Sequence, residues 1–467
     1  MNNYTAITPQ IIQEFKNLFI EGIFFYDDET LANYAHDETE NLNYKPEIVA
    51  KPFTTIQVSE ILRYCNKNLI AVTVRGAGTG LSGGALPIYG GLVLSMERFN
   101  KIVDIDLKNL QAMVEPGVVN EVFQNEVQRH GLYYPPDPAS RGSCFLGGNV
   151  AHASGGPHAL KYGTTRDYIL NLEVVLPNGE IFWTGANTLK YSTGYNLTHL
   201  VIGSEGTLCV VTSIVVKLIP YPKNNVLLLA PFFSAEKACE AVSEIFRNGI
   251  TPSAIEFMER DAIDWALKYV DGIAMEIKPK IAAHLLIELD GNNLDVLMNE
   301  AEQLHEILQN FECDEILFAD SEAQKQQLWK MRRSLGEAVK SNSIYKEEDT
   351  VVQRAYLPKL LKGVKDIGNK YGFKSVCYGH AGDGNLHVNI LKGNLSDEFW
   401  QTEIHKGIEE IFALCKSLGG TISGEHGIGL VQKRYMQIVQ TLMQLELQRG
   451  IKKVFDPNNI LNPGKIF

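Results

Sequence analysis

The stretch Arg75-Gly-Ala-Gly-Thr-Gly-Leu-Ser-Gly-Gly84 follows a predicted strand, Ile70–Arg75, and contains the spacing G-x-G-x-x-G. This spacing is typical of a dinucleotide-binding turn, in which a helix must begin at once. Pro87 and the two glycines after it exclude a sustained helix before the next predicted strand, Leu92–Ser95. The sequence therefore predicts that loop amides alone bind an anion such as a phosphate, because glycines permit positive φ and let successive N–H groups converge.

Two further glycine-rich segments follow. Pro135–Asn149 leads into Ala153–Gly156 and Lys161–Thr165, and the last loop is Gly203–Leu208. A single loop of this kind is commonly a tight turn between strands. Three of them in one segment, each with small hydroxyl residues, favour an extended ligand that contains phosphate.

The composition limits the class of protein. The chain has 467 residues, 45% of them hydrophobic and 21% charged, which predicts two or three folded domains. A net charge of −12 disfavours nucleic acid as a partner. The longest strongly apolar run, Val226–Phe233, is far shorter than the ~18 residues of a membrane-spanning helix, so any membrane contact is expected to be peripheral.

The seven cysteines are widely spaced and include no C-x-x-C pair. This pattern predicts neither a disulfide framework nor a thiolate zinc site, and it favours the reducing cytoplasm.

The domain organisation is predicted to be α+β throughout. Short β-rich runs give way after Pro220 and Pro222 to longer helical patterns such as Glu322–Lys340. The expected segments are an N-terminal helical segment (1–45), a glycine-rich α+β domain (46–222), a second α+β domain (223–420) and a C-terminal segment (421–467).

A second cluster of polar residues lies near the C-terminus. In Tyr378–Ile390, period-two alternation puts His387 and Asn389 on one face of a predicted strand, and the preceding turn can fold His380 over that face. Ser423–Gly429 adds Glu425 and His426. Two imidazoles and a carboxylate suit Zn²⁺, Mn²⁺ or Fe²⁺. The spacing H-x6-H is not a standard zinc spacing, however, so ordinary buried or surface histidines remain an alternative.

These motifs together resemble the vanillyl-alcohol-oxidase type flavoprotein superfamily, in the branch of D-lactate dehydrogenase, glycolate oxidase and D-2-hydroxyglutarate dehydrogenase. The resemblance runs from Pro46 to Phe467. It implies a two-subdomain FAD-binding domain, an α+β substrate (cap) domain, and a C-terminal helical segment that completes the active site.

The resemblance also implies a set of FAD contacts spread over the glycine-rich loops. They are Arg75, Gly76, Ala77, Gly78, Thr79, Gly80, Leu81 and Ser82 at the pyrophosphate; Pro116, Gly117, Pro136, Asp137, Ser140, Cys144, Gly147, Gly148, Asn149, Ala151, Ser154, Gly155, Tyr162 and Gly163 at the isoalloxazine and ribityl chain; Glu205 and Gly206 on the adenosine side; and Asn462.

Covalent attachment of FAD is not expected. Some members of the superfamily attach the flavin through a histidine or cysteine in the first loop, but no histidine lies between His36 and His130 and no cysteine between Cys65 and Cys144. His152 and His158, in the second loop, are interpreted as variable loop residues rather than ligands.

The catalytic roles implied by the resemblance fall on the second polar cluster. His380, His387 and Glu425 match the ligands of a divalent metal, with zinc expected and manganese or iron as alternatives. His426 matches the catalytic base and Asn389 a substrate contact. Further contacts to the substrate carboxylate are expected from Arg332, Lys346 and Arg354.

The implied reaction oxidises a 2-hydroxy acid to the 2-oxo acid, with hydride transfer to flavin N5. Gly336 replaces a hydroxyl residue of the hydroxyglutarate enzymes, which favours D-lactate or glycolate. The expected electron acceptor is a quinone, an electron-transfer flavoprotein or an iron–sulfur subunit, and a homodimer is one expected assembly. Three alternatives stay open: a glycolate oxidase subunit, a D-2-hydroxyglutarate dehydrogenase, and a metal-dependent hydrolase or transferase whose glycine loops hold a nucleotide.

Overall fold

Two β-sheets form the core of the N-terminal half in the computed structural model, which describes residues 4–271 and 275–467. The first is mainly parallel, with strand order β1-β2-β4-β3, and the second is antiparallel, with order β5-β6-β10-β8-β9. β7 and β11 form a separate pair. The strands are β1 Phe24–Phe25, β2 Ile48–Ala50, β3 Val72–Arg75, β4 Leu92–Ser95, β5 Ile102–Asp106, β6 Gln111–Val114, β7 Leu132–Tyr133, β8 Ile169–Val175, β9 Ile181–Trp183, β10 Val210–Lys217 and β11 Ile219–Pro220.

Short helices cover these sheets. Thr8 caps the first helix through its side chain, and a proline stands at the first helical position, as the sequence predicts. The helices are α1 Pro9–Leu18, α2 Asp28–Asn33, α3 Thr55–Lys67, α4 Asn120–Arg129, α5 Leu146–His152, α6 Ala159–Tyr162, α7 Thr165–Tyr168 and α8 Leu197–Val201.

A seven-stranded antiparallel sheet dominates the C-terminal half, with strand order β15-β12-β14-β13-β17-β18-β16. Its strands are β12 Asn224–Phe232, β13 Ala254–Glu259, β14 Ala283–Gly291, β15 Leu317–Phe318, β16 Tyr345–Val351, β17 Lys374–His380 and β18 Asn385–Leu391. Its helices are α9 Ala235–Arg247, α10 Arg260–Tyr269, α11 Leu294–Gln309, α12 Glu322–Arg333, α13 Leu335–Asn342, α14 Leu357–Tyr371, α15 Asp397–Gln401 and α16 Ile404–Ser417. The predicted α+β class is confirmed in both halves.

The large sheet is buried on both faces, because alternate side chains enter two separate cores. Leu285 and Ile287 pack in the larger core, whereas Leu286 between them packs in the smaller one. In β18, Leu386 and Val388 lie in the larger core and His387 lies on the opposite face. This alternation is the one that the sequence predicts.

The predicted helix Glu322–Lys340 is interrupted at Ser334, where α12 ends and α13 begins. The hydroxyl of Ser334 donates to the carbonyl of Lys330 at 2.8 Å, a contact four residues back that bends helices. Arg332 and Arg333, at the end of α12, line the cavity described below.

The C-terminal segment returns to the N-terminal half after α17 Met436–Val439 and α18 Leu442–Phe455. Leu461 forms a parallel bridge with Val72, so it extends the first sheet beyond β3. Asn462 accepts from the backbone of Val74 and donates to the carbonyl of Glu205. In the described ranges, no helix combines the length and the apolar character needed to cross a bilayer.

Candidate active site

One cavity of about 620 Å³ lies between the glycine-rich loops and the large sheet. Its walls combine loop residues of the N-terminal half with side chains from α12, β16, β17, β18 and the loop 423–426. A cavity of this size suits a cofactor or a small-molecule ligand. The glycine-rich loops and the cluster of histidines with Glu425, both predicted from the sequence, therefore face the same cavity.

The first glycine loop fits a close backbone approach to a ligand. Gly78 has φ +78°, and a Cβ there would lie 2.2 Å from a guanidinium nitrogen of Arg75. Arg75 itself is buried and donates to the carbonyl of His36 at 2.7 Å. Only glycine fits this position without moving the arginine.

The second loop also packs closely against its neighbours. A Cβ at Gly147 would lie 2.5 Å from the side chain of Pro116. Asn149 in the same helix, α5, donates to the buried side chain of Asn120 at 3.1 Å. These contacts fix the small-residue wall that α5 presents to the cavity.

Nineteen of the predicted FAD contacts line this cavity, and their role in binding stays a prediction. They are Arg75, Gly76, Ala77, Gly78, Thr79, Gly80, Leu81, Pro116, Asp137, Ser140, Cys144, Gly147, Gly148, Asn149, Ala151, Ser154, Glu205, Gly206 and Asn462.

Six other predicted contacts lie outside the lining: Ser82, Gly117, Pro136, Gly155, Tyr162 and Gly163. The hydroxyl of Tyr162 donates to Asp290 of the large sheet at 2.7 Å. The amide of Gly155 donates to Glu425 at 3.1 Å. Tyr162 thus joins the two halves, and Gly155 orients a predicted metal ligand.

The remaining four of these residues are engaged in packing. The carbonyl of Ser82 accepts from the amide of Leu430 at 2.8 Å, and that of Pro136 accepts from side chains of α4. A Cβ at Gly117 would lie 2.4 Å from a backbone carbonyl, and one at Gly163 would lie 2.5 Å from a carboxylate.

The three predicted metal ligands converge. Nε2 of His380 lies 3.1 Å from Oε1 of Glu425, and Nε2 of His387 lies 3.8 Å from the same oxygen. One ligand atom from each residue falls within 4.8 Å of the others. Burial and the neighbouring His426 lower the pKa of His387 to about 3, so its ring is neutral. This donor set fits a divalent cation with open coordination positions.

A buried carboxylate that sequence reasoning missed organises the loop of Glu425 and His426. Oδ2 of Asp349, in β16, accepts from the three consecutive backbone amides of 424–426 at 2.7, 2.8 and 2.9 Å, and from the hydroxyl of Ser423 at 3.0 Å. Asp349 also stands opposite His387 in the β16–β18 register. It therefore ties the loop to the strand that carries a predicted ligand.

His426 lies beside these ligands in the cavity. Its ring stacks on His387 with centroids 5.0 Å apart. Burial alone would lower the pKa of His426, but the carboxylates of Asp349, Glu347 and Glu425 outweigh it and raise that pKa above its ordinary value. The position suits a group that accepts a proton inside the cavity.

Arg332 lies in the cavity wall, as predicted, but it is already paired. Its Nε donates to Glu256 at 2.7 Å, and its guanidinium carbon lies 5.3 Å from the ring centre of Tyr378. The next residue, Arg333, also lines the cavity. No carboxylate of the described residues lies within ion-pair distance of Arg333, which packs over Trp329. Arg333 is therefore a second cation available to an anionic ligand.

The side chain of Lys346 lies away from the cavity, and its role as a substrate contact stays a prediction. Its ammonium lies 5.5 Å from the ring centre of Trp400, outside the cavity lining. Glu347, one residue later, faces the cavity instead, because successive strand residues point to opposite faces.

Two more predicted substrate contacts lie outside the lining. Arg354 donates to the carbonyl of Gly382 at 2.6 Å and stacks on Phe246 at 3.6 Å from the ring centre. Asn389 is fully buried and donates to the carbonyl of Val376 at 3.3 Å. Neither side chain reaches the cavity in this structure.

Sequence reasoning missed Glu256, Asp349, Glu347 and Arg333. Glu256 belongs to no motif, and it lies 124 residues from His380 along the chain. Glu347 and Asp349 could have been found from the sequence, because the strand Tyr345–Val351 carries four successive charged residues. Although β16 is an edge strand, its side chains are largely buried, and buried charges are costly unless paired, so they indicate a polar site.

Family models match nearly the whole of the chain from residue 46 onward. The model for an FAD binding domain covers residues 46–185, and the model for the C-terminal domain of FAD linked oxidases covers 221–466. The chain belongs to the FAD-linked oxidase family. It is accordingly an FAD-dependent enzyme, which removes the alternative of a metal-dependent hydrolase.

Curated relatives and solved structures agree with this family. The chain is 36% identical to a D-lactate dehydrogenase of Anaerostipes hadrus, over 99% of this chain and 98% of the relative. It is 37% identical to the glycolate oxidase subunit GlcD of Bacillus subtilis, over 99% and 96%. The fold resembles p-cresol methylhydroxylase with a TM-score of 0.79 at 19% identity, over 97% and 96% of the two chains. The predicted resemblance to D-lactate dehydrogenase and glycolate oxidase is confirmed by the family models and relatives, and the solved structure shows the same fold.

Proposed function

We propose that this FAD-linked oxidase family member oxidises a small D-2-hydroxy acid, D-lactate or glycolate, to the 2-oxo acid. The observation that carries the proposal is the convergence of His380, His387, Glu425 and His426 on the cavity that the glycine loops also line. Two relatives at 36–37% identity bear the names D-lactate dehydrogenase and glycolate oxidase subunit.

Each group around the cavity has a defined role in this proposal. Arg332 and Arg333 bind the substrate carboxylate through charge-assisted hydrogen bonds. His426 removes the proton from the 2-hydroxyl group, and Asp349 and Glu347 stabilise the imidazolium that forms. FAD, bound without a covalent link, supplies the hydride acceptor. His380, His387 and Glu425 would hold a divalent cation, with zinc expected and manganese or iron as alternatives, and the cation would supply Lewis-acid chemistry at the 2-hydroxyl group.

The cavity wall favours a short substrate. A Cβ at Gly336 would lie 3.5 Å from the hydroxyl oxygen of Tyr378, in ordinary van der Waals contact, so a side chain could stand here, and glycine supplies no group to hold a second carboxylate. Glu347, which is largely buried beside His387, lines the same chamber and offers no positive charge to a dicarboxylate. Because both arginines at the end of α12 are assigned to the single carboxylate of a small substrate, D-2-hydroxyglutarate ranks below D-lactate and glycolate in this proposal.

A second candidate concerns the electron acceptor. Because one close relative is named as a glycolate oxidase subunit, this chain is also proposed to act as a flavoprotein subunit that passes electrons to an iron–sulfur partner. A quinone or an electron-transfer flavoprotein would serve a stand-alone dehydrogenase. A cytoplasmic location, peripheral membrane contact and a homodimer remain parts of the proposal.

Anaerobic stopped-flow reduction of the bound flavin tests the function. D-lactate and glycolate should reduce it fastest among a panel of D- and L-2-hydroxy acids. His380→Ala should bind less metal and reduce flavin ~100-fold more slowly or worse, because Lewis-acid activation supplies several kcal/mol. His405→Ala is the matched control, since His405 bonds to Tyr435 outside the cavity. Failure of every 2-hydroxy acid to reduce the flavin would refute the proposal.

A further inference from the structure

Glu256 contacts two predicted functional residues at once. Oε2 of Glu256 accepts from Nε of Arg332 at 2.7 Å and lies 2.6 Å from its NH2 group. Oε1 lies 2.8 Å from Nδ1 of His380, which stands directly opposite in the β13–β17 register. The carboxylate is completely buried and does not line the cavity. It therefore acts only through these two neighbours.

The contact to His380 determines which ring nitrogen is free. A carboxylate accepts a hydrogen bond, so Glu256 holds a proton on Nδ1, and a bound cation would take the place of a proton at Nε2. Nε2 is the atom that faces Glu425 at 3.1 Å. The orientation is thus the one that a metal ligand requires.

The contact between Glu256 and Arg332 holds the guanidinium from outside the cavity. Nε and one NH2 group are directed at Glu256, and the guanidinium lies over Tyr378 at the cavity wall. The remaining N–H groups are left for a ligand. A planar guanidinium held in this way keeps one geometry and recognises a carboxylate with little loss of side-chain freedom.

We propose that Glu256 is a positioning residue that couples the two halves of substrate recognition: through His380 it orients the cation site, and through Arg332 it orients the carboxylate-binding group. The inference rests on the proposed function, because it assigns partners to the metal and to the substrate carboxylate. It predicts that one substitution at a residue outside the cavity weakens both binding events.

The variant Glu256→Gln tests the coupling on FAD-loaded protein. The amide keeps the size of the side chain but loses the charge, and its NH2 group, which only donates, must replace an oxygen that faces either Nδ1 of His380 or the guanidinium of Arg332. Zn²⁺ affinity, measured by chelator competition, should fall 10- to 100-fold, the range for loss of an outer-shell partner. Binding of pyruvate, followed by the shift in flavin absorbance, should weaken about 10-fold, as expected when a charge-assisted contact is impaired.

Glu259→Gln provides the matched control. Glu259 lies in the same strand and is also largely buried, but it contacts Lys365 and the amide of Cys377, outside the cavity. Its Zn²⁺ and pyruvate affinities should equal those of the wild type. If Glu256→Gln also matches the wild type in both affinities, the inference is overturned.

A double variant covers the case in which Glu256→Gln does not fold, since it leaves a buried guanidinium unpaired. Arg332→Met removes that charge, and in this variant Glu256 keeps its contact with Nδ1 of His380, so Arg332→Met and Arg332→Met/Glu256→Gln should both fold and can be compared. The double variant should bind Zn²⁺ at least 10-fold more weakly than Arg332→Met, as loss of the outer-shell partner predicts; equal affinities would overturn the His380 half of the inference. If the wild-type protein binds no Zn²⁺, both the proposed metal site and the role of Glu256 in orienting His380 are refuted. The pyruvate affinity of Glu256→Gln then tests only whether Glu256 orients Arg332.

Discussion

Asp349 binds the backbone of His426: Oδ2 of the buried carboxylate accepts the N–H of His426 at 2.9 Å. The same oxygen accepts the two preceding amides, so the loop 424–426 wraps around a single atom. Burial alone would raise the pKa of Asp349, but the neighbouring imidazoles and these amides hold it well below its usual range. The carboxylate is therefore charged whenever the loop is folded.

Asp349→Asn should loosen this loop. A hydrogen bond to a charged group contributes roughly 1.5–3 kcal/mol, so the loss of charge should lower the free energy of unfolding by about 2 kcal/mol or more. Urea unfolding measures that loss, and chelator competition should show weaker Zn²⁺ binding as Glu425 shifts. Glu348→Gln is the control, because this neighbouring buried carboxylate accepts from Gln432 and stands outside the cavity. An Asn variant with wild-type metal affinity would contradict the assigned role.

His426→Asn should keep FAD and metal but reduce flavin ~10²- to 10⁴-fold more slowly, the effect expected for loss of a general base. The base must be neutral, and the pKa of His426 is raised, so wild-type flavin reduction should fall as pH drops through a pKa above the ordinary value of about 6.5. Stopped-flow rates from pH 5 to 9 check this, and the Asn variant should lack the acid limb.

Glu347→Gln supplies the companion measurement. Removing one of the carboxylates that raise the pKa of His426 should move the acid limb to lower pH. An Asn variant of His426 that retains the wild-type pH profile would place the base elsewhere, for instance in a metal-bound hydroxide.

His158 should make the contact between the two halves of the chain pH-dependent. Its ring lies 2.8 Å from Asp137 of the second loop and 3.1 Å from Glu288 of the large sheet. Burial disfavours the charged ring, but the two carboxylates outweigh it and raise the pKa of His158 well above its ordinary value. This contribution to stability is therefore complete below about pH 6.5 and is lost as pH rises through the raised pKa of the folded protein.

The measurement is the thermal stability of wild type and His158→Gln between pH 6 and 10. The variant should be about 3 kcal/mol less stable at the acid end, because it leaves two buried carboxylates without their cation, and the difference should shrink towards the alkaline end. His130→Gln, which alters an exposed pair with Glu126, should cost at most about 1 kcal/mol at any pH. A difference between wild type and His158→Gln that does not change with pH would show that the ring is not charged.

Gly78→Ala should yield folded protein that fails to retain FAD. Its Cβ would displace Arg75, whereas a Cβ at Gly131, which has a similar φ of +71°, would meet no atom within 4 Å. Gly131→Ala therefore reproduces the backbone strain without the clash and should keep full FAD. The ratio of absorbance at ~450 nm to that at 280 nm measures retention. Stoichiometric FAD in Gly78→Ala would show that the first loop does not approach the cofactor closely, contrary to the role of glycine in such loops.

The sequence predicted those features that are encoded locally. Strand β4 occupies Leu92–Ser95 as expected, since its apolar residues lie between turn signals. His380, His387 and Glu425 are selected because two imidazoles and a carboxylate suit a divalent cation and because the resemblance implies them as metal ligands, and the fold brings them together.

Other features depend on register and on distant pairing. Whether Lys346 or Glu347 faces the cavity depends on how β16 pairs with β18, and a shift of one residue exchanges the two faces. Glu256 and His380 meet because β13 pairs with β17, across a separation that leaves no local pattern. The sequence could therefore indicate the ligands but not the carboxylates that orient them.

The return of the C-terminal segment to β3 has a consequence for biosynthesis. Asn462 bonds to Val74 across 388 residues and to the carbonyl of Glu205. A ribosome must therefore complete the entire large sheet before the wall of the glycine-rich cavity closes. We expect the nascent N-terminal half to remain incomplete and free of cofactor until the segment around Asn462 has been synthesised, so FAD loading follows the synthesis of that segment.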